Sequence, residues 1–230
     1  MYRWIVWAHK WFGLVIGVQV ILWVASGLFM TAVPIETVRA EHNIRKTEPQ
    51  ALPLSELPAL SAIVDGAATR AELFMLNGAP AWRIDREGKP HNILDARTGA
   101  VLSPLDAASA LAIAKADFAG TGETKGIALI ADNPPIEYRA ALPVWQIQFA
   151  DAEGTRLYVS PLTGKVVARR TNTWRIYDFL WSLHIMDYRG REDFNHPLIV
   201  VAASLGLVLS LTGLWIAVVR FRPKRWRKPS

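Results

Sequence analysis

The sequence predicts a membrane-anchored α+β protein in which two transmembrane helices flank a duplicated helix-plus-antiparallel-sheet domain. Three observations support this fold class. Asp, Glu, Lys and Arg are absent from residues 11–35, and they are absent again from residues 197–219. The polar middle of the chain carries two similar units, each a helix-forming stretch followed by short strand-forming runs. The 230 residues include no cysteine, which excludes disulfides, thiol catalysis and thiolate-bound metals.

Each apolar run is long enough to cross a bilayer. At about 1.5 Å per residue, residues 11–35 extend roughly 37 Å and residues 197–219 roughly 35 Å, against a hydrocarbon core of about 30 Å. The first run is also far longer than the roughly 7–15 apolar residues of a cleaved signal peptide. We therefore expect an uncleaved signal-anchor at the amino end and a second spanning helix near the carboxyl end.

The basic residues are concentrated next to the apolar runs. Arg3 and Lys10 lie at the start of the chain, and six further basic residues crowd its end: Arg220, Arg222, Lys224, Arg225, Arg227 and Lys228. Short flanks rich in Lys and Arg stay in the cytoplasm, whereas long loops are translocated largely regardless of charge. We expect both termini in the cytoplasm, the central domain in the periplasm, and a bacterial inner membrane as the location. This placement accounts for the net charge of +6 without nucleic acid as a partner.

The central segment divides into two units. Residues 55–68 are helix-compatible, although Pro58 permits only a helix that starts near it. A second helix is expected at residues 105–118, begun by Ser103-Pro104. Strands are expected at residues 72–76, 81–85 and 93–95 in the first unit, and at 136–140, 144–149, 157–159 and 166–168 in the second. Residues 80–84 (PAWRI) match residues 143–147 (PVWQI). A repeat of about 64 residues is too long for a solenoid and indicates a duplicated α+β unit.

Several segments resemble one known family. After a strand and a turn, LDARTGAVL (94–102) and VSPLTGKVV (159–167) resemble the hairpin of the PepSY domain. Residues 9–30 are similar to the opening of PepSY-associated transmembrane proteins, and residues 180–222 resemble their closing segment. The chain departs from the larger members in having two membrane helices where they have four. It also carries Met186 where the family has a glycine two positions after its histidine.

The predicted organisation has seven segments. They are a transmembrane helix (1–35), a linker (36–52), a first PepSY-like unit (53–102), a second such unit (103–171), an interfacial amphipathic helix with its loop (172–195), a second transmembrane helix (196–220) and a basic cytoplasmic tail (221–230).

Five histidines are the main reactive side chains. His42 and His91 lie in polar segments and are assigned no role. His9, His184 and His196 lie at membrane boundaries, where polar side chains are functional candidates. Imidazole is a common axial ligand of haem b, which needs no cysteine. Ferric-siderophore reductases of the resembled family are haem proteins, so the resemblance implies His9 and His184 as haem ligands.

The expected topology separates these histidines by one membrane thickness, about 30 Å. His9 and His184 therefore cannot hold one haem within one chain. A site with two histidines needs either His184 with His196 or matching residues across a dimer. Gly13-xxx-Gly17 offers a close-packing face for such a dimer.

Two of the boundary histidines also have a structural interpretation. His184 follows the apolar stripe of the amphipathic helix and can bond to Asp187 or to a backbone carbonyl. His196 lies in a sequence typical of a helix start, with Asn195 as the cap and Pro197 as the first helical residue. The mixed charges around them, Asp187, Arg189, Arg191, Glu192 and Asp193, are more typical of a solvated or internally paired loop than of a metal site.

Three functions remain open. In the first, the chain is a haem-b electron carrier that passes electrons to a ferric chelate as a dimer, in the manner of a ferric-siderophore reductase. Alternatively, it is a non-catalytic PepSY interaction or regulatory module that binds a peptide, or an accessory subunit of a larger membrane complex. The sequence does not decide whether the protein is an enzyme, and a lipid bilayer is the partner common to all three.

Overall fold

The computed structural model describes residues 2–46, 48, 50–88 and 91–221. Nearly all of the expected basic tail (221–230) lies outside the described residues. The chain forms two compact units, one comprising Met1–Pro34 with Ile176–Ser230 and the other comprising Ile35–Arg175.

The first unit is built on two long apolar helices, α1 (Tyr2–Ala32) and α6 (Pro197–Phe221). Both are long and apolar enough to cross a membrane, so the two expected apolar helices are confirmed. They run antiparallel, because the ring of Tyr2 lies 5.8 Å from that of Trp215. The helix α5 (Asn172–Ile185) begins in the other unit, and its residues from Ile176 onward belong to this one.

The second unit contains two antiparallel sheets. The first sheet has the order β1-β2-β3, formed by Arg70–Leu76, Ala79–Asp85 and Asn92–Asp95. The second has the order β4-β5-β6-β7, formed by Thr124–Ile130, Val144–Phe149, Arg156–Val159 and Val166–Arg170. Neighbours in the sheets are neighbours in the chain, so each sheet is a simple meander. The expected antiparallel α+β domain between the apolar helices is therefore confirmed.

The helix α4 (Ala107–Asp117) covers one face of the second sheet. Its small residues Ala110 and Ala114 are fully buried one turn apart, which lets the helix approach the sheet closely. The helix begins later than Ser103-Pro104 predicts, because the Asp106 side chain accepts the Ser109 amide and caps the first turn.

The strand predicted at residues 136–140 is wrong. This segment is a turn, and the first strand of the second sheet is β4. The apolar side chains that suggested a strand have another use, since the ring of Tyr138 stacks 4.7 Å from that of Tyr158. Burial raises the pKa of Glu137, but hydrogen bonds from Arg175, Tyr158 and Arg156 more than offset it, so this pKa lies below its usual value.

The helix predicted at residues 55–68 is mostly absent. Only a 3-10 turn at Leu54–Glu56 and the one-turn helix α3 (Leu60–Ile63) form there. Pro58 falls between them, and a proline can neither donate the backbone bond of a helix interior nor fit its backbone.

The linker (36–52) has structure of its own. It begins within the short helix α2 (Ile35–Val38) and continues through a 3-10 turn at Glu41–Asn43. Its backbone then pairs with the segment after α4, where Ile44 bridges Phe118. These bonds attach residues 43–45 to the end of α4 and the segment that follows it, so this part of the linker belongs to the folded unit.

Candidate functional site

His184 lies in the last turn of α5, and its ring is held by α1. The distance from His184 Nδ1 to Ser26 Oγ is 2.9 Å, and Ser26 is only 1% exposed. The serine hydroxyl also lies 2.6 Å from the carbonyl oxygen of Leu22, one turn earlier in α1. Serine in a helix commonly donates its proton in this way.

The contact with Ser26 bears on the histidine tautomer, because the role of Nδ1 depends on which ring nitrogen carries hydrogen. A hydroxyl has one proton, and the 2.6 Å separation from the Leu22 carbonyl oxygen favours donation to that oxygen. In that arrangement Ser26 Oγ is the acceptor, and Nδ1 of His184 is the nitrogen that carries hydrogen. In the neutral ring, Nε2 then keeps its lone pair and can bind a metal.

Two further side chains of α1 secure the end of α5. Gln19 Nε2 donates to the carbonyl of Leu183 at 3.2 Å, and Trp23 Nε1 donates to the carbonyl of His184 at 2.7 Å. The last carbonyls of a helix have no partner within the helix. The side chains of α1 supply those partners and so fix the backbone that carries His184.

His9 is held in the same way at the opposite end of α1. Its Nδ1 lies 2.9 Å from Thr212 Oγ1 of α6. The threonine hydroxyl donates to the carbonyl of Val208 at 2.9 Å, with Leu209 as a second acceptor at 3.0 Å. With its proton on either carbonyl, the threonine hydroxyl would accept a hydrogen bond from His9 Nδ1, and Nε2 would keep a lone pair.

A glycine follows each hydroxyl residue and lies beside the histidine ring. A Cβ placed on Gly213 would lie 3.1 Å from His9 Cε1, and one placed on Gly27 would lie 3.8 Å from His184 Cε1. We call each hydroxyl–glycine pair, Ser26-Gly27 and Thr212-Gly213, a histidine seat. The two seats have the same chemistry and lie on different helices.

The two seats are far apart. From His9 to Ser26, which contacts His184, α1 rises roughly 25 Å. One chain therefore presents two separate imidazoles near opposite ends of its apolar helices.

His196 has a different environment. Its carbonyl accepts the Ile199 amide at 3.0 Å, and its Nδ1 accepts the Leu198 amide at 3.4 Å. His196 is therefore the N-cap residue of α6. Pro197 begins the helix as the sequence predicts, but the cap is His196 and not Asn195. In the described part of the chain, no hydrogen bond or ring contact joins His196 to His184.

The loop after α5 is organised around Asp187. Its carboxylate accepts four backbone amides, from Arg189, Gly190, Glu192 and Asp193. These bonds, that of Glu192 foremost, lower the pKa of Asp187 to about 2 against the opposing effect of burial. Asp187 therefore bonds to the backbone of its own loop and does not hold the His184 ring.

The other charged and imidazole side chains have local partners. Arg191 pairs with Asp178 at 2.7 Å. The exposed rings of His42 and His91 lie 2.9 Å from Glu153 and 2.6 Å from Asp85. Among the described residues, no group of three or more His, Asp or Glu side chains converges to hold a metal ion.

Comparison with known families assigns the chain. A family described as "PepSY-associated TM region" matches residues 6–230. The chain belongs to this family. The resemblance seen in the sequence is therefore confirmed, and the apolar helices are those of a membrane protein. No curated protein and no solved structure matches the chain.

Sequence reasoning on this PepSY-associated protein missed the residues that hold the histidines. Gln19, Trp23 and Ser26 lie on one face of α1 at helical spacing, and two of them are polar side chains in an otherwise apolar run. Polar residues in a transmembrane segment are a functional signal in their own right. That signal was present for Gln19, Ser26 and Thr212, but it does not reveal which histidine each one contacts.

Proposed function

We propose that this protein is a haem-b electron-transfer component of the bacterial inner membrane, similar in role to a ferric-siderophore reductase. His9 and His184 are the proposed haem ligands. One observation carries the proposal: each ring is bound at Nδ1 by a hydroxyl of the facing helix, which leaves Nε2 available.

The donor set fits a haem iron. Metal-binding histidines usually donate the hydrogen of their other ring nitrogen to a fixed acceptor, which orients the ring. Ser26 and Thr212 provide that acceptor. Within the described residues, Nε2 of His9 and Nε2 of His184 have no hydrogen-bond partner. When bound, haem would supply one-electron redox chemistry.

Each seat holds a single histidine, so a site with two axial imidazoles needs a second ligand, which is either His196 for the His184 seat or a histidine of another molecule. A second copy of the chain is the simplest source. Gly13 and Gly17 support this assembly, because a Cβ on either glycine would meet no atom within 4 Å. This part of α1 is open to close approach by another helix.

The proposed orientation places both termini in the cytoplasm and the central domain in the periplasm. His9 then lies near the cytoplasmic surface and His184 near the periplasmic surface. A ferric chelate in the periplasm is the proposed electron acceptor, since a haem on the His184 side would be the nearer of the two.

Absorption spectroscopy tests the proposal. Protein purified in mild detergent from haem-replete cells should show a Soret band. His9→Ala and His184→Ala should each remove about half of the bound haem, and the double variant should remove nearly all of it. His42→Ala is the matched control, because His42 is bonded to a surface carboxylate. A wild-type preparation that stays colourless after haem reconstitution would refute the function.

A second candidate function, peptide binding, is favoured by the open edge of the first sheet. In the order β1-β2-β3, β1 has one neighbour. A cavity of about 550 Å³ lies beside it, lined by Leu73–Gly78, Ile113 and Asp117 among others. Extended peptides bind such edges as an added strand. A bound peptide should slow amide exchange at residues 70–76, and an extended-peptide panel without this effect would eliminate the candidate.

We also infer that the two sheets arose by duplication of one PepSY-like unit. Trp82 and Trp145 occupy the second strand of their sheets and pair with Leu94 and Val159 of the third. Gly99 and Gly164 both adopt a positive φ, of 73° and 64°, in the turn that follows. An experimental structure in which β1-β2-β3 fails to superpose on β4-β5-β6 would contradict this inference.

A further inference from the structure

We propose that Ser26 and Thr212 are positioning residues that select the tautomer of His184 and His9. Each hydroxyl acts as an obligate acceptor, keeps hydrogen on Nδ1 and leaves Nε2 bare. The consequence for haem rests on the proposed function, whereas the tautomer is a property of the protein alone.

The hydroxyl protons of Ser26 and Thr212 have backbone carbonyls as acceptors. Ser204 and Ser210 of α6 donate to the carbonyls four residues earlier, at 2.8 and 2.9 Å, and no histidine contacts them. Helical hydroxyls in this protein therefore form this backbone bond on their own. Ser26 and Thr212 form the same bond and receive a histidine in addition. The hydroxyl-to-carbonyl bond therefore does not depend on a histidine. A histidine that approaches such a hydroxyl meets an oxygen whose proton is already bonded to the backbone.

A hydroxyl and a carboxylate differ as acceptors for the Nδ1 hydrogen of a histidine. A carboxylate in the same place would bring a charge into an apolar setting, which is costly without a paired cation. A hydroxyl orients the ring while remaining neutral. As a weaker acceptor it also withdraws less of the Nδ1 hydrogen, so the imidazole is a less basic ligand than one supported by a carboxylate.

The glycine of each seat lies next to the histidine ring. Gly27 and Gly213 come directly after the hydroxyl residues, and the histidine rings lie over them. The hydroxyl contacts one ring nitrogen in each seat. At Gly213 a Cβ would lie only 3.1 Å from His9 Cε1 and would crowd the ring, whereas at Gly27 a Cβ would make ordinary contact with His184 Cε1 at 3.8 Å. The seat therefore controls both the tautomer and the ring position.

Nitrogen NMR tests the tautomer directly. The full chain would be labelled with ¹⁵N-histidine in lipid bilayers without haem, and His9 and His184 would be assigned from His→Ala variants. We expect hydrogen on Nδ1 and a bare Nε2 for both. Ser26→Ala should abolish this preference at His184 alone, and Thr212→Val should abolish it at His9 alone.

Matched variants separate positioning from folding. Ser204→Ala and Ser210→Ala remove hydroxyls of the same type and should change neither histidine. Ser26→Thr and Thr212→Ser keep the acceptor and should retain the wild-type tautomers. If Ser26→Ala does not fold, the wild-type spectrum alone still decides, because hydrogen on Nε2 or on both nitrogens at neutral pH would overturn the proposal. Unchanged tautomers in folded Ser26→Ala and Thr212→Val would also overturn it.

A second readout connects the seats to the cofactor. In haem-loaded protein, Ser26→Ala and Thr212→Val should each weaken haem binding at one site by about 10–100-fold, the usual effect of losing such a partner. The remaining haem should shift to a more positive midpoint potential. Expected tautomers in a protein that never binds haem would refute the proposed function and leave the role of the hydroxyls intact. Haem loss without any tautomer change would refute the hydroxyl role alone.

Discussion

The two histidine seats share their chemistry and differ in their support. Ser26-Gly27 and Thr212-Gly213 each offer an engaged hydroxyl and a bare glycine to an imidazole. Around His184, however, Gln19 and Trp23 also bind the backbone. Around His9, Thr212 provides the only hydrogen bond that a side chain makes to this residue among those described. The same pair of residues can therefore serve a rigid site and a simpler one.

The difference follows from the position of each histidine in its helix. His184 is at the end of α5, where carbonyls lack helical partners. His9 lies well inside α1, whose backbone bonds are already complete. A helix end needs external donors to become a fixed site, whereas a helix interior needs only an acceptor for the ring.

The largest effect is expected from removing the donors around His184. Gln19→Leu with Trp23→Phe leaves the carbonyls of Leu183 and His184 unpaired, and each unpaired buried group costs about 1–3 kcal/mol. We expect the double variant to unfold at lower denaturant concentration by the equivalent of about 2–4 kcal/mol. Trp11→Phe is the control, because Trp11 is exposed in α1. An equal loss in the control would show that the His184 side has no special support.

A smaller effect is expected from adding a methyl group to each seat. Gly213→Ala places its Cβ 3.1 Å from His9 Cε1, whereas Gly27→Ala leaves 3.8 Å to His184. Displacing a ring from its rotamer costs about 0.5–1.5 kcal/mol, so haem binding at His9 should weaken by up to about tenfold. Haem titration in the His184→Ala background measures this effect. Because alanine favours helix over glycine, reduced binding without reduced stability identifies the seat.

Met186 offers a gain in stability on the His184 side. It follows α5 with φ of 57°, a left-handed conformation that a residue with a Cβ adopts at a cost of about 1–2 kcal/mol. Met186→Gly should therefore stabilise the protein by about 1 kcal/mol in a denaturant titration. Met30→Gly, within α1, should destabilise it by a similar amount. A loss of stability in Met186→Gly would show that its side chain matters more than its backbone.

The smallest effect is a local response to acid. The folded pKa of Asp187 is about 2, below its unfolded value of about 4, so its contribution to stability is complete above pH 4. That contribution is lost as pH falls from about 4 to about 2. Hydrogen exchange should then speed up, beyond the pH dependence of the intrinsic exchange rate, at the amides of residues 189, 190, 192 and 193. The amides near His9 should show no such change. Asp187→Asn should show the faster exchange already at pH 6.

The sequence alone predicts an element of the fold correctly where one physical effect dominates. The membrane helices are clear because an uncharged run of this length has few other uses in a folded chain. Strands β1–β3 and β5–β7 are marked by turns such as Asn77-Gly78 and Thr163-Gly164. Strand β4 is hidden, because Gly126 weakens its pattern and only its register in the sheet reveals it.

The sequence indicates the histidines of the candidate site but not the residues that contact them. Histidines at a membrane boundary attract attention as single residues. Their partners do not, because Ser26 lies 158 positions from His184 and Thr212 lies 203 positions from His9. No local spacing connects residues so far apart. The loop around Asp187 is a similar case, since its carboxylate binds amides that have no side-chain signature.

The sparse packing of α1 and α6 has a consequence for assembly. Only 11% and 6% of their most apolar windows are buried within the chain. Under the proposed function, another copy that supplies the second axial ligand would approach these exposed helix faces sideways through the lipid. Occupancy of a shared site would then follow the number of molecules per unit of membrane area and not their concentration in the cell volume. A cell could tune such a carrier by crowding it into patches, and diluting the purified protein with lipid should reverse the effect.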